Sequence, residues 1–235
     1  DRRRPDIPED LLALMREVGP KWRTNVSGHV DLMIQRFSDL LKGGPRDGVI
    51  EHRDIRYGDH ERQVIDVFLP RLATDGDSPS APGPTPLPAV DSLGSQPTRP
   101  SGTSPLVVIL HGGYWRQQWD RVHLRPLAWG FAEAGYVVAT PEYRRGPSSW
   151  PRMSADVDAA VAAIRGLLDT AEPGLVDPEA PFVLAGHSAG GQLALWAGLR
   201  AGAEVVRQIV TLAPVTDLWY AAREGLDDDA AQELL

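Results

Sequence analysis

Residues 184–195 read LAGHSAGGQLAL, and the serine at the centre of this small-residue turn decides how the chain is read. The preceding apolar run FVLAG (182–186) suits a buried strand, and the segment from about 189 to 199 suits a helix. Gly186-His187-Ser188-Ala189-Gly190 therefore sits where a strand gives way to a helix. Glycines on both flanks permit a tight, strained reversal that lifts the serine hydroxyl clear of the sheet. The same turn places the Ala189 N–H at a helix N-terminus, where unpaired donors and the helix dipole favour a developing oxyanion. A turn selected only for close packing would account for Gly186, Gly190 and Gly191 but gives no reason for Ser188. Ser188 is the candidate nucleophile.

Working backward along the chain, HGGYW (111–115) directly follows the strand-like run LVVIL (106–110). Gly112 and Gly113 let the backbone turn so that the N–H groups of Gly113 and Tyr114 face the crevice, where they join Ala189 in an oxyanion hole. Gly112, Gly113, Tyr114 and Ala189 are thus the candidate oxyanion-hole residues. Tyr114 and Trp115, with Trp119 and Trp150 nearby in sequence, suit an acyl or aryl substrate. Core packing is the alternative use of the same rings.

The surrounding pattern predicts an α/β fold. Short apolar runs, LVVIL, YVVA (136–139), FVLAG and QIVTLA (208–213), alternate with helix-period segments near 124–134, 155–168 and 189–199. Strands apolar throughout and separated by helices form a mostly parallel sheet covered on both faces, with ligands at the carboxyl ends of the strands. Upstream, residues 1–48 carry two amphipathic helices (Leu11, Leu12, Met15, Val18; then Val30, Met33, Ile34, Phe37, Leu40, Leu41) expected to pack on the core. Residues 49–70 read as a β-hairpin, residues 71–105 as a Pro/Ser/Gly-rich surface insertion, and residues 106–235 as the core.

Composition narrows the chemistry. The 235 residues carry a net charge of −8, which opposes binding to nucleic acid phosphates. The basic start DRRRP is not followed by an apolar run, so neither a signal peptide nor a membrane span is expected and a cytoplasmic location follows. The chain has no cysteine, hence no disulfide or thiolate chemistry. It also lacks H-E-x-x-H, a P-loop and a G-x-G-x-x-G fingerprint after a strand, so no metal and no cofactor are expected. The expected partner is a small ester or amide, with a homodimer left open.

On these motifs the sequence resembles the α/β-hydrolase superfamily, and within it the esterase and kynurenine formamidase (arylformamidase) group. HGGYW, GHSAGG, RYGDHERQVIDVFLP and PEYRRGPSSWP carry the likeness, over roughly residues 50–220. The resemblance implies an α/β-hydrolase fold, cleavage of a small ester or amide through an acyl-enzyme, and a supporting role for His111 in the oxyanion loop.

That fold orders its triad Ser, then Asp or Glu, then His. No histidine follows Ser188. His187 is expected to point away from the hydroxyl and to pack or hydrogen-bond behind the turn, and His123 to take a surface or helix-dipole role near a helix start. His29, His52 and His60 fall in the N-terminal helices and hairpin. Asp217 could orient a histidine or cap a helix, and Asp227, Asp228 and Asp229 form a solvated charge run. A parallel sheet ending at QIVTLA would leave an apolar edge uncovered. The expectation is a fragment of a larger hydrolase, its acid and histidine beyond Leu235, inactive alone. The rival expectation is a non-catalytic binding module on the same scaffold, using the insertion or the N-terminal helices as its contact surface.

Overall fold

The computed structural model describes residues 48–70 and 103–235. The helices expected over residues 1–48 and the insertion over 71–105 therefore lie outside the described residues, apart from Gly48 and 103–105.

Strands β1 (Val49–Arg56) and β2 (Val64–Pro70) form the expected antiparallel hairpin, with Ile50 opposite Leu69. They are followed by β3 (Leu106–Leu110), β4 (Val137–Pro141), β5 (Phe182–His187) and β6 (Val206–Leu212). The six strands make one sheet in the order β1-β2-β4-β3-β5-β6. β2 runs antiparallel to β4, whereas β4, β3, β5 and β6 are mutually parallel. Every residue of β2, β3 and β4 is buried, which explains why these runs show no polar alternation. From β3 the chain crosses first to β4 on one side and then to β5 on the other. The carboxyl ends of β3 and β5 thus flank a topological switch point, the position where such sheets open a crevice.

The helices are α1 (Arg125–Glu133), α2 (Trp150–Ala171), α3 (Ala189–Ala201), α4 (Leu218–Arg223) and α5 (Leu226–Leu234). A 3-10 turn, Arg121–Leu124, leads into α1. α2 starts earlier than its apolar stripe suggests because Pro151 fits the first helical turn, where no backbone donor is needed. Its stripe, Val157, Val161, Ile164 and Leu168, is buried as the spacing predicts. α4 and α5 were not legible, being short, and α5 contains Asp227, Asp228 and Asp229 with positive φ. α1 packs on β2 and β4, whereas α3 packs on β3, β5 and β6 and against α2.

The start of α3 presses on the exit of β3. A β-carbon on Gly190 would fall 2.2 Å from the Leu110 carbonyl oxygen and 2.3 Å from that of His111. Gly190→Ala should therefore cost about 1–3 kcal/mol or more, because backbone must shift to admit the methyl group. Gly166, exposed in α2, has open space where its β-carbon would be. Gly166→Ala should instead stabilise by about 1 kcal/mol. Urea denaturation of the two variants checks both signs.

Candidate active site

Ser188 joins β5 to α3 with φ 54° and ψ −120°, a conformation that an L-residue adopts only when its surroundings force it. The forcing contacts are backbone hydrogen bonds. Ser188 N–H donates to the Leu212 carbonyl (2.9 Å), while its own carbonyl accepts from Gly191 (2.9 Å), Gln192 (3.2 Å) and Val215 (3.3 Å). Both peptide groups of the residue are thereby used, and the half-buried hydroxyl hydrogen-bonds to no described residue. Ala189 is fully buried, and its N–H, first in α3, likewise has no partner among the described residues.

The loop after β3 closes on this turn. A β-carbon at Gly112 would lie 2.6 Å from the His187 carbonyl oxygen and 3.1 Å from Ser188 Cβ, so only glycine lets the two loops touch. Gly113 (φ 110°), Tyr114 (φ 47°) and Trp115 (φ 57°) then all take positive φ. The N–H groups of Gly113 and Tyr114 have no hydrogen-bond partner among the described residues. Tyr114 is half-buried, whereas Trp115 is 2% exposed and belongs to the core. Trp119 lies over Gly113, and Trp150 packs edge-on against Trp196 with ring centroids 5.4 Å apart. A cavity of about 160 Å³ opens behind Tyr114 and Trp115, bounded by Arg116, Gly146, Glu233 and Leu234; Ser188 is not on its wall. Arg116 ties α5 to this loop through Asp227 Oδ2 (2.9 Å) and Glu233 Oε2 (3.1 Å). Asp227 is therefore an ion-pair partner as well as part of an exposed run.

Beneath the loop lies a buried cluster that the sequence reading did not single out. Glu142, just after β4, takes hydrogen bonds from the backbone N–H of Tyr143 (2.9 Å) and Arg121 (3.2 Å) and from Arg145, and its Oε1 lies 3.1 Å from His111 Nε2. Arg121 also reaches Asp66 (2.9 Å), which Arg125 meets from the other side (3.1 Å). Burial by itself would raise the Glu142 pKa, but the His111 hydrogen bond and neighbouring positive charge outweigh it and lower the value to about 2. A signal was available. Asp66 interrupts a wholly buried strand, and a charge there requires partners.

The histidines are placed as follows. His123 lies in the last turn of the 3-10 helix and is half-buried between His111 (ring centroids 5.8 Å) and Trp119 (6.3 Å), so it is less exposed than a surface role implies. Burial, then the charge of His111, lower its pKa to about 4. His187 also departs from expectation. It is exposed beside Gly112 rather than packed behind the turn, and partial desolvation lowers its pKa. His52 Nε2 lies 3.2 Å from Glu172 and His60 Nδ1 accepts from Arg62 N–H (3.1 Å), while His29 is outside the described residues. Asp217 caps α4, accepting from Tyr220 N–H at 2.7 Å. Among the described residues no group of His, Asp and Glu is arranged to hold a metal, and no helix is long and apolar enough to cross a membrane.

Comparison with known proteins agrees with this architecture. A family model described as alpha/beta hydrolase fold matches residues 107–234, and the chain belongs to that family. A search of curated proteins finds no match. Among solved structures, an inhibited esterase B from Lactobacillus rhamnosis superposes with TM-score 0.57 at 20% identity, covering 94% of this chain and 64% of that one. A bacterial heroin esterase gives 0.55 at 22% identity, covering 87% and 58%. Vibralactone cyclase gives 0.53 at 18% identity, covering 91% and 53%. At these identities the likeness shows the fold, and the chain spans less than two thirds of the length of each.

The Glu142 cluster makes stability depend on acid. Its folded pKa is about 2 against a usual 4.5, so its stabilisation is complete above about pH 4.5 and lost as pH falls towards 2. Glu142→Gln should lower stability at neutral pH by about 3–5 kcal/mol, since it leaves buried cations unpaired. Across the acid window it should then lose less than the unsubstituted protein. Thermal melts between about pH 6 and 2 read both effects.

Proposed function

We propose that the protein is a serine hydrolase, a carboxylesterase or arylformamidase-like enzyme that cleaves a small ester or amide through an acyl-enzyme. One observation carries this reading. The Gly112 contact sets Ser188 beside the loop whose Gly113 and Tyr114 amides lack partners, with the unpartnered Ala189 amide on the other flank. Unpaired donors close to the nucleophile are what a tetrahedral oxyanion requires. HGGYW and GHSAGG support the narrower formamidase-like assignment, and the esterase names of the structural neighbours support ester cleavage.

In the proposed reaction Ser188 Oγ attacks the substrate carbonyl while a base takes its proton. The carbonyl electrons move to oxygen, where the N–H groups of Gly113, Tyr114 and Ala189 receive the charge. Collapse expels the alcohol or amine, which recovers the proton, and water then releases the acid by the same steps. The base is a histidine outside the described residues, because no described histidine hydrogen-bonds Ser188. Tyr114, half-buried at the rim, would contact the acyl or leaving group.

A fluorophosphonate probe followed by peptide mass spectrometry tests this. The protein supplied with its triad histidine should be labelled once, at Ser188, and Ser188→Ala should abolish labelling and turnover. Residues 1–235 alone should retain only the residual rate, roughly 10³–10⁴ over water, that an oxyanion hole without a base provides. Absence of labelling in the former would favour a binding module on a hydrolase scaffold.

A further inference from the structure

We infer that the cavity behind Tyr114 and Trp115 receives the part of the substrate remote from its scissile carbonyl, and that this part is a ring-sized group bearing an amine rather than a carboxylate. The inference rests on the proposed hydrolase reading and adds to it the chemical class of the substrate's tail.

The cavity is placed for such a group. Tyr114 contributes its amide to the unpartnered donors near Ser188 and its side chain to the cavity wall, so the two spaces adjoin at one residue. Ser188 itself is not on that wall. A substrate held at its carbonyl by the Tyr114 amide therefore reaches the cavity by running along the Tyr114 side chain, and what it puts there takes no part in bond cleavage. The volume, about 160 Å³, matches the roughly 150 Å³ that encloses one benzene ring. Tyr114 and Trp115 meet edge to face, with centroids 6.2 Å apart and 83° between planes, and Pro147, Ala230 and Leu234 add further apolar surface. That lining suits a flat ring.

Charge decides the substituent. Among the described residues on the wall Arg116 is the one cation, and its guanidinium is already committed. Its Nε donates to Asp227 Oδ2 (2.9 Å), one terminal nitrogen to Glu233 Oε2 (3.1 Å), and the other to the carbonyls of Asp227 and Asp228. An arriving carboxylate would have to displace one of these acceptors. The carboxylates of Asp227 and Glu233 outnumber the single guanidinium they hold, and the charge of Asp228 also reaches Arg116. The same field reaches the residue shared by the cavity and the oxyanion donors: burial, then the charge of Asp227, raise the pKa of the Tyr114 phenol. The surplus is negative and favours an ammonium, which aromatic faces such as those of Tyr114 and Trp115 also attract. Because the side chains of Asp227 and Glu233 are 41% and 48% exposed, solvent and salt hold the preference to about tenfold.

Benzylamine and phenylacetate, two probes of similar shape and opposite charge, test this when titrated into the 235-residue chain. The readout is the NMR signal of the Trp115 indole N–H, assigned by its absence from Trp115→Phe. Benzylamine should shift that signal and bind about tenfold more tightly than phenylacetate, with the difference shrinking as salt is added. Equal binding, tighter binding of phenylacetate, or no shift with either would overturn the inference. Ala230→Leu, which fills the cavity, should abolish the shift. Glu233→Gln, at a position exposed enough to leave folding intact, should lower the preference for the amine about threefold, and an unchanged preference would contradict the charge argument. In the protein supplied with its triad histidine, benzylamine should compete with benzyl phenylacetate, which carries a ring on each side of its carbonyl, raising KM at unchanged kcat. A fall in kcat at unchanged KM would put the cavity outside the substrate's path and overturn the inference. Benzylamine bound at Trp115 in a protein whose Ser188 resists labelling would sink the hydrolase reading and leave the ligand class of the cavity standing. Labelling without benzylamine binding would sink this inference alone.

Discussion

The site depends on a backbone contact: the first turn of α3 rests against the last carbonyls of β3, with Gly190 where any side chain would collide. This contact fixes how far the helix can advance over the sheet. It forces Ser188 into a positive-φ turn, since the chain must reverse within one residue between β5 and α3. Gly112 completes the constraint from the other loop by touching His187 and Ser188. Three glycine-dependent approaches, at 112, 186 and 190, thus bring the ends of two neighbouring strands together at the switch point of the sheet.

A second layer supports the first. The loop after β3 holds three successive residues at positive φ, a strain of order 1–3 kcal/mol at each non-glycine position. Such a loop persists only if something beneath it is rigid. The buried set His111, Glu142, Arg145, Arg121 and Asp66 supplies that floor, and each member meets its neighbour at hydrogen-bonding distance. Buried ion pairs add little net stability over apolar packing, yet removing one partner is costly. The cluster therefore serves geometry more than stability.

Much of this was legible in the sequence. Uniformly apolar runs gave β3, β4 and β5, and the 3.6-residue stripe gave α2, because burial on both faces or on one stripe leaves a direct imprint on residue choice. The turn around Ser188 and the loop from His111 were legible for another reason: close approach of backbones excludes side chains, so glycine marks the spot. The ionic floor was not, since Asp66, Arg121 and Glu142 are far apart in sequence and only strand order brings them together. The partial burial of His123 escaped for the same reason; it comes from contact with His111 and Trp119, not from its local pattern. α4 escaped because its six residues are too few to show a stripe, and α5 because it opens on Asp227, Asp228 and Asp229.

The central claim is that Ser188 and the amides of Gly113 and Ala189 face one point in space. A crystal structure of the protein with Ser188 covalently phosphonylated would measure it. The account predicts a phosphoryl oxygen about 2.7–3.1 Å from both amide nitrogens. An adduct whose oxygen turns to solvent, beyond hydrogen-bonding reach of both, would contradict it.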